Sequence, residues 1–154
     1  MIRQNILDHL TGSGISAKTA IVLTHNIDFL FAQSVLLARL AKVGHPALTI
    51  FADAGCASVI FDMQKDFTSG LGQRYRVVPV DMGPGRRFHP KAILLAGDDG
   101  ARLAVGSGNL TQGGYSANAE IWASFESPGD GGPTPARYRH HPETVMRTAQ
   151  LRGP

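Results

Sequence analysis

The sequence lacks most of the features that would place a protein in a membrane, outside the cell or on a disulfide framework. Its single cysteine, Cys56, excludes an internal disulfide and fits a reducing cytoplasm. No run of about 18 apolar residues is present, so no membrane-spanning helix is expected. The first ten residues are amphipathic and include an acidic residue, unlike a signal peptide. We predict a cytoplasmic protein without membrane association, in which Cys56 is a buried small residue rather than a nucleophile.

The charge balance is only mildly basic. Fifteen Lys and Arg residues against twelve Asp and Glu residues give a formal net charge of +3. This suits a polyanionic partner without demanding one, because many solvated surfaces carry as much charge. Basic residues are not interleaved with aromatic ones, so base readout is not indicated. Sequence specificity would have to come from another module.

Strand-like and helix-like segments alternate along the first half of the chain. Apolar, β-branched runs predict strands over 19–25, 47–52 and 75–80. Helical spacing predicts helices over 2–10 and 54–67, and a third that begins at a cap on Asp28 and ends at Gly44. Pro79 favours an edge position for the third strand. The alternation predicts an α/β fold, a mixed β-sheet flanked by helices.

The domain organisation follows from length and composition. At 154 residues the chain is one ordinary domain, which we expect over residues 1–127. Residues 128–154 are rich in Pro and Gly and are predicted to form a C-terminal arm or linker.

A combination of polar side chains follows this first half. It consists of an imidazole, an ammonium, a hydroxyl, a carboxamide and a carboxylate, on His89, Lys91, Ser107, Asn109 and Glu120. An imidazole can attack phosphorus or donate a proton, and a carboxylate can orient it. An ammonium and neutral hydrogen-bond donors can hold phosphate oxygens. These residue types suffice for phosphoryl transfer without a metal.

The predicted strands bring these residues together. A hairpin with strands over 91–96 and 102–106 puts Lys91 across from the end of the return strand. Period-two alternation points His89 to the same face as Lys91, and it likewise points Ser107 and Asn109 to one face. A third strand over 120–125 returns the carboxylate to the sheet. All five residues are expected at one edge of a small sheet.

In this order, His89-Pro90-Lys91, Gly106-Ser107-Gly108-Asn109-Leu110-Thr111 and Asn118-Ala119-Glu120 resemble the phospholipase D superfamily. The resemblance is closest to its compact nuclease branch, which includes metal-independent restriction endonucleases with a phospholipase D-like domain. It covers residues 86–126 and implies a phospholipase D-like half-domain. The fuller family pattern has an aspartate where this chain has Ala96. The restriction-enzyme branch also lacks that aspartate and uses the later glutamate.

The resemblance assigns roles to single residues. It makes His89 the nucleophile of a phosphohistidine intermediate and has Glu120 hydrogen-bond His89. It has Lys91, Ser107 and Asn109 bind the scissile phosphate. Further substrate contacts are predicted at Arg86 and Arg87, directly before the motif, and at Gly108 and Thr111. No metal and no other cofactor is expected.

The chain holds a single His-x-Lys set, whereas two-step phosphohistidine chemistry needs two imidazoles. A two-fold homodimer would bring two copies of His89 to one shared site. The sequence therefore predicts a metal-independent phosphodiesterase, an endonuclease with DNA favoured among nucleic acids.

Other interpretations of the same residues stay open. Each motif alone has a plain reading: His-x-Lys as a solvated strand end, Gly-Ser-Gly-Asn as a turn, Glu120 as an exposed strand residue and Lys91 as a guard on an edge strand. The main alternative function is a non-catalytic phospholipase D-like module that dimerises and recruits an ATPase or helicase in a larger nucleic-acid-processing or defence complex. Phosphodiester transfer on lipid headgroups is a third and weaker alternative function.

Three further patterns are set aside. Residues 12–19 approximate a phosphate-binding loop, but Ala17 replaces the last glycine and the helix–strand order is reversed. His140 and His141 are adjacent and lack the spacing of a metal site. His25 follows a predicted strand, where sites in α/β sheets occur, yet we interpret it as a residue of the turn into the next helix.

Overall fold

The computed structural model describes residues 5–12 and 14–128. Within these residues six strands form one sheet: β1 (Thr19–Thr24), β2 (Ala47–Asp53), β3 (Tyr75–Val80), β4 (Ala92–Gly97), β5 (Gly100–Gly106) and β6 (Trp122–Pro128). The helices are α1 (Ile6–Leu10), α2 (Phe29–Phe31), α3 (Leu37–Leu40) and α4 (Ala54–Met63), with π-helical segments at Ala32–Leu36 and Gly113–Ala117 and 3₁₀ turns at Ala41–Val43 and Lys65–Phe67. Of the arm predicted over 128–154, only Pro128 is described, and it ends β6. The rest of that segment, with His140 and His141, and the start of the N-terminal helix lie outside the described residues.

The sheet is mixed, as predicted. Its strand order is β3-β2-β1-β4-β5-β6. The first three strands are parallel to one another, and β4 runs antiparallel to both β1 and β5. Strand β3, which carries Pro79, lies at one edge, where a residue without an N–H is tolerated. The predicted hairpin is present, with Ala92 opposite Val105 and the Gly106 N–H bonded to the Lys91 carbonyl at 3.1 Å.

The two faces of the sheet are covered differently. The larger core cluster includes Ala20, Val22, Ile50 and Ile93, and the buried residues of all four helices belong to it. A smaller cluster on the other face gathers Leu23, Phe51, Leu94 and Leu103 around the ring of Phe88. Phe88 lies in the segment between β3 and β4. Its buried side chain therefore anchors the loop that leads into β4.

The helical stretch after β1 begins and ends as predicted. The Asp28 carboxylate accepts the Phe31 N–H at 3.1 Å, which satisfies one of the free donors of the first turn. The stretch closes at Gly44, whose φ of +106° favours glycine. The π-helical segment Ala32–Leu36 in its middle was not expected from the apolar spacing.

The strand ends determine where polar residues meet. Strands β1, β2 and β5 end, and β4 and β6 begin, at the same end of the sheet. Two predicted strand boundaries are wrong by one or two residues, because Lys91 and Glu120 lie just before β4 and β6 rather than inside them. This leaves both side chains on connecting segments at that end of the sheet, which we call the active end.

Candidate active site

His89 and Lys91 contact each other at the start of β4. The Lys91 Nζ lies 2.8 Å from His89 Nδ1 and 3.2 Å from Nε2, and it also donates to the His89 carbonyl at 3.1 Å. The Lys91 side chain is buried whereas His89 is exposed. The two side chains therefore meet as predicted, although both residues precede β4 rather than lying in a strand. An exposed imidazole with a buried ammonium behind it can meet an anionic substrate from solvent.

Both groups are shifted towards their neutral forms. Burial lowers the pKa of Lys91, and the nearby charge of Glu120 partly offsets this. Desolvation, the Lys91 ammonium and His25 lower the pKa of His89, against smaller opposing effects of its own backbone and of Asp53. A lowered pKa keeps the imidazole neutral over a wider pH range. A neutral imidazole is the form that can act as a nucleophile.

Ser107 and Glu120 pair across the β5–β6 connection. The Ser107 hydroxyl donates to the Glu120 carboxylate and accepts the Ile121 N–H at 3.0 Å. The Asn118 amide donates to the second carboxylate oxygen at 3.3 Å. The predicted hydrogen bond from Glu120 to His89 is not present among the described residues. The carboxylate is held by the neighbouring turn instead and acts electrostatically on Lys91.

Asn109 ties the Gly-Ser-Gly-Asn segment to the end of β1. Its Oδ1 accepts the Asn26 N–H at 3.2 Å, and the next residue, Leu110, donates its N–H to Thr24 Oγ at 2.9 Å. The segment thus crosses the start of β4, and Ser107 and Asn109 lie at the active end with His89.

The predicted substrate-binding residues divide into two groups. Gly108 is required by packing, since a Cβ there would lie 2.2 Å from the Gly114 carbonyl oxygen and 2.8 Å from the Trp122 ring. Thr111 caps the following helical turn by accepting the Gly114 N–H at 3.1 Å. Arg86 and Arg87 are exposed on the loop before His89. Substrate binding by these residues stays a prediction, and the arginines keep their side chains accessible for it.

The structure adds His25 to the active end. Its ring centroid lies 4.6 Å from that of His89, at an interplanar angle of 39°. Its Nδ1 lies 3.1 Å from the Phe88 carbonyl oxygen and 3.9 Å from an Asp53 carboxylate oxygen. His25 lies in the turn between β1 and α2 as predicted, but the prediction missed the contact of its ring with His89. The usable signal was its place directly after a parallel strand, with Asp53 at the end of the neighbouring one.

Asp53 is a buried carboxylate with two backbone partners. It accepts the Phe88 N–H at 2.9 Å and, as the cap of α4, the Cys56 N–H at 3.2 Å. Burial on its own would raise the pKa of Asp53. The two backbone hydrogen bonds, together with His25 and Arg87, outweigh burial and lower it. Asp53 is therefore held as an anion.

Cys56 is partly exposed rather than buried as expected. Its Sγ lies 3.4 Å from His25 Nε2, and burial raises the pKa of the thiol. Potential ligand atoms of His25, Asp53 and Cys56 lie within 4.8 Å of one another, which makes them the one such metal-compatible group in the described part of the chain. Imidazole and thiolate suit zinc. However, both Asp53 oxygens already accept backbone N–H groups, and the nearby Arg87 disfavours an added cation.

A groove adjoins the site on the other side of the Ser107–Glu120 pair. Its volume is about 440 Å³, and Tyr115, Asn118, Glu120 and Trp122 are among its lining residues. The Tyr115 and Trp122 rings contact each other, with centroids 5.2 Å apart.

In residues 5–12 and 14–128, no helix is long and apolar enough to cross a membrane.

Comparison with solved structures identifies the fold. NucT from Helicobacter pylori matches with a TM-score of 0.63 and 13% identity, over 93% of this chain and 88% of that one. The phospholipase D family member Nuc from Salmonella typhimurium matches with a TM-score of 0.63 and 14% identity, over 94% of this chain and 87% of that one. Yeast tyrosyl-DNA phosphodiesterase matches with a TM-score of 0.51 and 16% identity. This match covers 79% of this chain but only 28% of that one. Neither protein-family models nor curated protein sequences give a match. The predicted phospholipase D-like fold is confirmed.

Proposed function

We propose that this chain, which has the phospholipase D-like fold, is a metal-independent phosphodiesterase, acting as an endonuclease on DNA. The observation that carries the proposal is the contact between an exposed imidazole and a buried ammonium. His89 and Lys91 meet at 2.8 Å, and Ser107 and Asn109 lie at the same end of the sheet. The buried ammonium supplies positive charge where a phosphate would sit next to His89, which is what a phosphoryl-transfer site needs.

The proposed reaction has two steps. A ring nitrogen of His89 attacks phosphorus, the bond to the leaving oxygen breaks, and a second imidazole protonates that oxygen. Water then attacks the phosphohistidine while the second imidazole takes its proton, which restores His89. Lys91 and the neutral donors stabilise charge on the non-bridging oxygens in both steps. No metal has a role in this scheme.

We propose that the second imidazole is His89 of a second copy of the chain. An exposed apolar surface beside the active end supports a homodimer. Val105 and Phe125 are 37% and 42% exposed, and the pairing of β5 with β6 places them on one face of these strands. Ile121, directly before β6, is 82% exposed. Ile121 directly follows Glu120. A two-fold axis through this face would bring two active ends together and bury the apolar side chains.

DNA is the favoured substrate within this proposal. Arg86 and Arg87 are exposed directly before His89, where they could contact the phosphate backbone. Yeast tyrosyl-DNA phosphodiesterase, a structural neighbour, acts on a DNA phosphodiester according to its name. A cytoplasmic location stays a prediction.

The test is cleavage of supercoiled plasmid DNA in excess EDTA. We expect the wild-type protein to nick or linearise the plasmid and His89→Ala to leave it intact. His45→Asn is the matched control, because His45 is exposed and has a φ of 54° that asparagine tolerates. Equal cleavage by wild type and His89→Ala would refute the mechanism.

One observation favours the alternative, a non-catalytic module that recruits an ATPase or helicase. Ser107 and Glu120 are hydrogen-bonded to each other, and in the described part of the chain neither forms a hydrogen bond with His89. If no EDTA-resistant cleavage of DNA, RNA or a lipid analogue occurs while the dimer is stable, the module is the better description.

A further inference from the structure

Two imidazoles of the same chain contact each other at the active end. His25 and His89 have ring centroids 4.6 Å apart, although they are far apart in sequence. The contact arises because His25 follows β1 and His89 precedes β4, and these strands are antiparallel neighbours. The inference drawn from this contact rests on the proposed function of His89.

The distance excludes one role for His25. An acid that protonates the leaving oxygen must stand on the opposite side of phosphorus from the nucleophile. A reacting nitrogen approaches to about 3 Å, and a proton donor needs a further hydrogen-bond length of about 3 Å on the far side. Two rings in direct contact leave no room for a phosphoryl group between them. His25 is therefore not the second imidazole of an in-line displacement.

His25 is instead fixed by its own contacts. The Phe88 carbonyl can only accept, so His25 Nδ1 carries the proton in that 3.1 Å contact. In the neutral ring, Nε2 then carries the lone pair, and it faces the Cys56 thiol at 3.4 Å. Asp53 lies 3.9 Å from Nδ1 on the same side as the carbonyl. Both ring nitrogens are thus occupied, and the ring is held in one orientation.

The same two residues hold the residue before the nucleophile. The Phe88 N–H donates to Asp53 at 2.9 Å, and the Phe88 carbonyl accepts from His25 at 3.1 Å. The Phe88 side chain is 4% exposed and packs in the smaller core cluster. Its backbone is therefore fixed on both sides, immediately before an otherwise exposed His89.

We propose that His25 and Asp53 form a positioning pair for His89. They clamp the Phe88 backbone, and the His25 ring packs against the His89 ring, so that the nucleophile keeps one orientation before substrate arrives. The resemblance had Glu120 hydrogen-bond His89. In the structure the Glu120 carboxylate is instead bound to Ser107 and Asn118, so the pair takes over the holding of His89. Preorganisation of this kind matters because a displacement of about 1 Å can cost roughly 100-fold in rate.

The charged groups around His89 give the pair a signature in pH dependence. Lys91 and His25 lower the pKa of His89, and Asp53 raises it. Two more charged groups act on these neighbours rather than on His89: the charge of Glu120 raises the pKa of Lys91, and the charge of Arg87 lowers the pKa of Asp53. When its ring is protonated, His25 places a positive charge beside His89, so the loss of that charge in His25→Ala should raise the pKa of His89. The acid limb of the rate profile should move to higher pH.

The test compares two substitutions of His25. His25→Asn keeps a donor for the Phe88 carbonyl, whereas His25→Ala removes both donor and ring; His45→Asn is the control. For an EDTA-containing oligonucleotide assay, we expect His25→Ala to lower kcat roughly 10- to 100-fold with KM within about twofold, and Asn to restore part of the loss. A kcat and a pH profile both unchanged in His25→Ala would overturn the proposal.

A second readout does not depend on activity. NMR titration of the His89 imidazole should show a higher pKa and altered ring shifts in His25→Ala, and smaller ring-shift changes in His25→Asn. If the wild type cleaves nothing, the proposed function fails, while this titration still decides the positioning role. An unchanged His89 titration and unchanged ring shifts in His25→Ala would refute the pair, as would stoichiometric zinc bound through His25 Nε2, since the pair would then be a metal site.

Discussion

Asp53→Asn is the substitution whose effect the structure defines most closely. The carboxylate is 4% exposed and accepts the N–H groups of Phe88 and Cys56 at 2.9 and 3.2 Å. Asparagine keeps one acceptor oxygen and turns an NH₂ group towards the other N–H. A hydrogen bond to a charged group contributes about 1.5–3 kcal/mol, and a buried donor left unpaired costs about 1–3 kcal/mol. We expect the free energy of unfolding to fall by about 2–4 kcal/mol near pH 7.

The loss should depend on pH in a defined direction. The folded-state pKa of Asp53 lies below its unfolded value, so its ionisation stabilises the folded state above the unfolded pKa of about 3.9. That stabilisation disappears as the pH falls through the folded pKa. The difference between wild type and Asp53→Asn should therefore be largest near neutral pH and shrink as the pH falls below about 4.

The assay is urea unfolding at fixed protein concentration across this pH range, with Asp62→Asn as the control. Asp62 lies within α4, but its side chain and that of its ion-pair partner Lys65 are 68% and 63% exposed. Exposed pairs contribute about 0–1 kcal/mol, so the control should stay close to wild type. An Asp53→Asn protein as stable as wild type near pH 7, or a deficit independent of pH, would refute this reasoning.

Three further predictions follow from the site and its surroundings. Lys91→Ala should lower kcat/KM by roughly 100-fold or more in the EDTA assay while the fold is kept, as judged by circular dichroism, because no other described ammonium contacts His89. Gly108→Ala should destabilise the protein by about 2 kcal/mol or more in urea unfolding, because its Cβ would meet the Gly114 carbonyl at 2.2 Å; a neutral result would show that the segment can shift. Ile121→Asp should shift the solution mass towards the monomer in analytical ultracentrifugation, whereas Val59→Asp, at an exposed position on α4, should not; equal masses would place the interface elsewhere.

The sequence predicted the sheet and much of the site because both depend on local patterns. Alternating apolar segments indicated the mixed sheet, and the turn at Asp98 and Asp99 defined the hairpin that brings Lys91 beside Gly106. The proximity of His89 and Lys91 was predicted from their spacing, although both residues precede β4. The boundaries of β4 and β6 were less predictable, because side-chain hydrogen bonds of Lys91 and Ser107 act beside the backbone bonds just before each strand.

The contacts that sequence reasoning missed depend on strand order. No local pattern indicates that β1 and β4 are neighbours, and the contact between His25 and His89 exists only because they are. Asp53 was not singled out from the sequence, since its hydrogen bond to Phe88 is visible only in three dimensions. Glu120 was assigned to His89 by resemblance, whereas the adjacent turn binds it to Ser107.

The most direct test of the central claim is to trap the covalent intermediate. Wild-type protein would be mixed with labelled duplex DNA in EDTA, quenched in alkali and digested, and the modified peptide identified by mass spectrometry. We predict a phosphate-linked nucleotide on His89 and none in the His89→Ala protein. Cleavage that proceeds with no adduct on His89, or an adduct on another residue, would contradict the account.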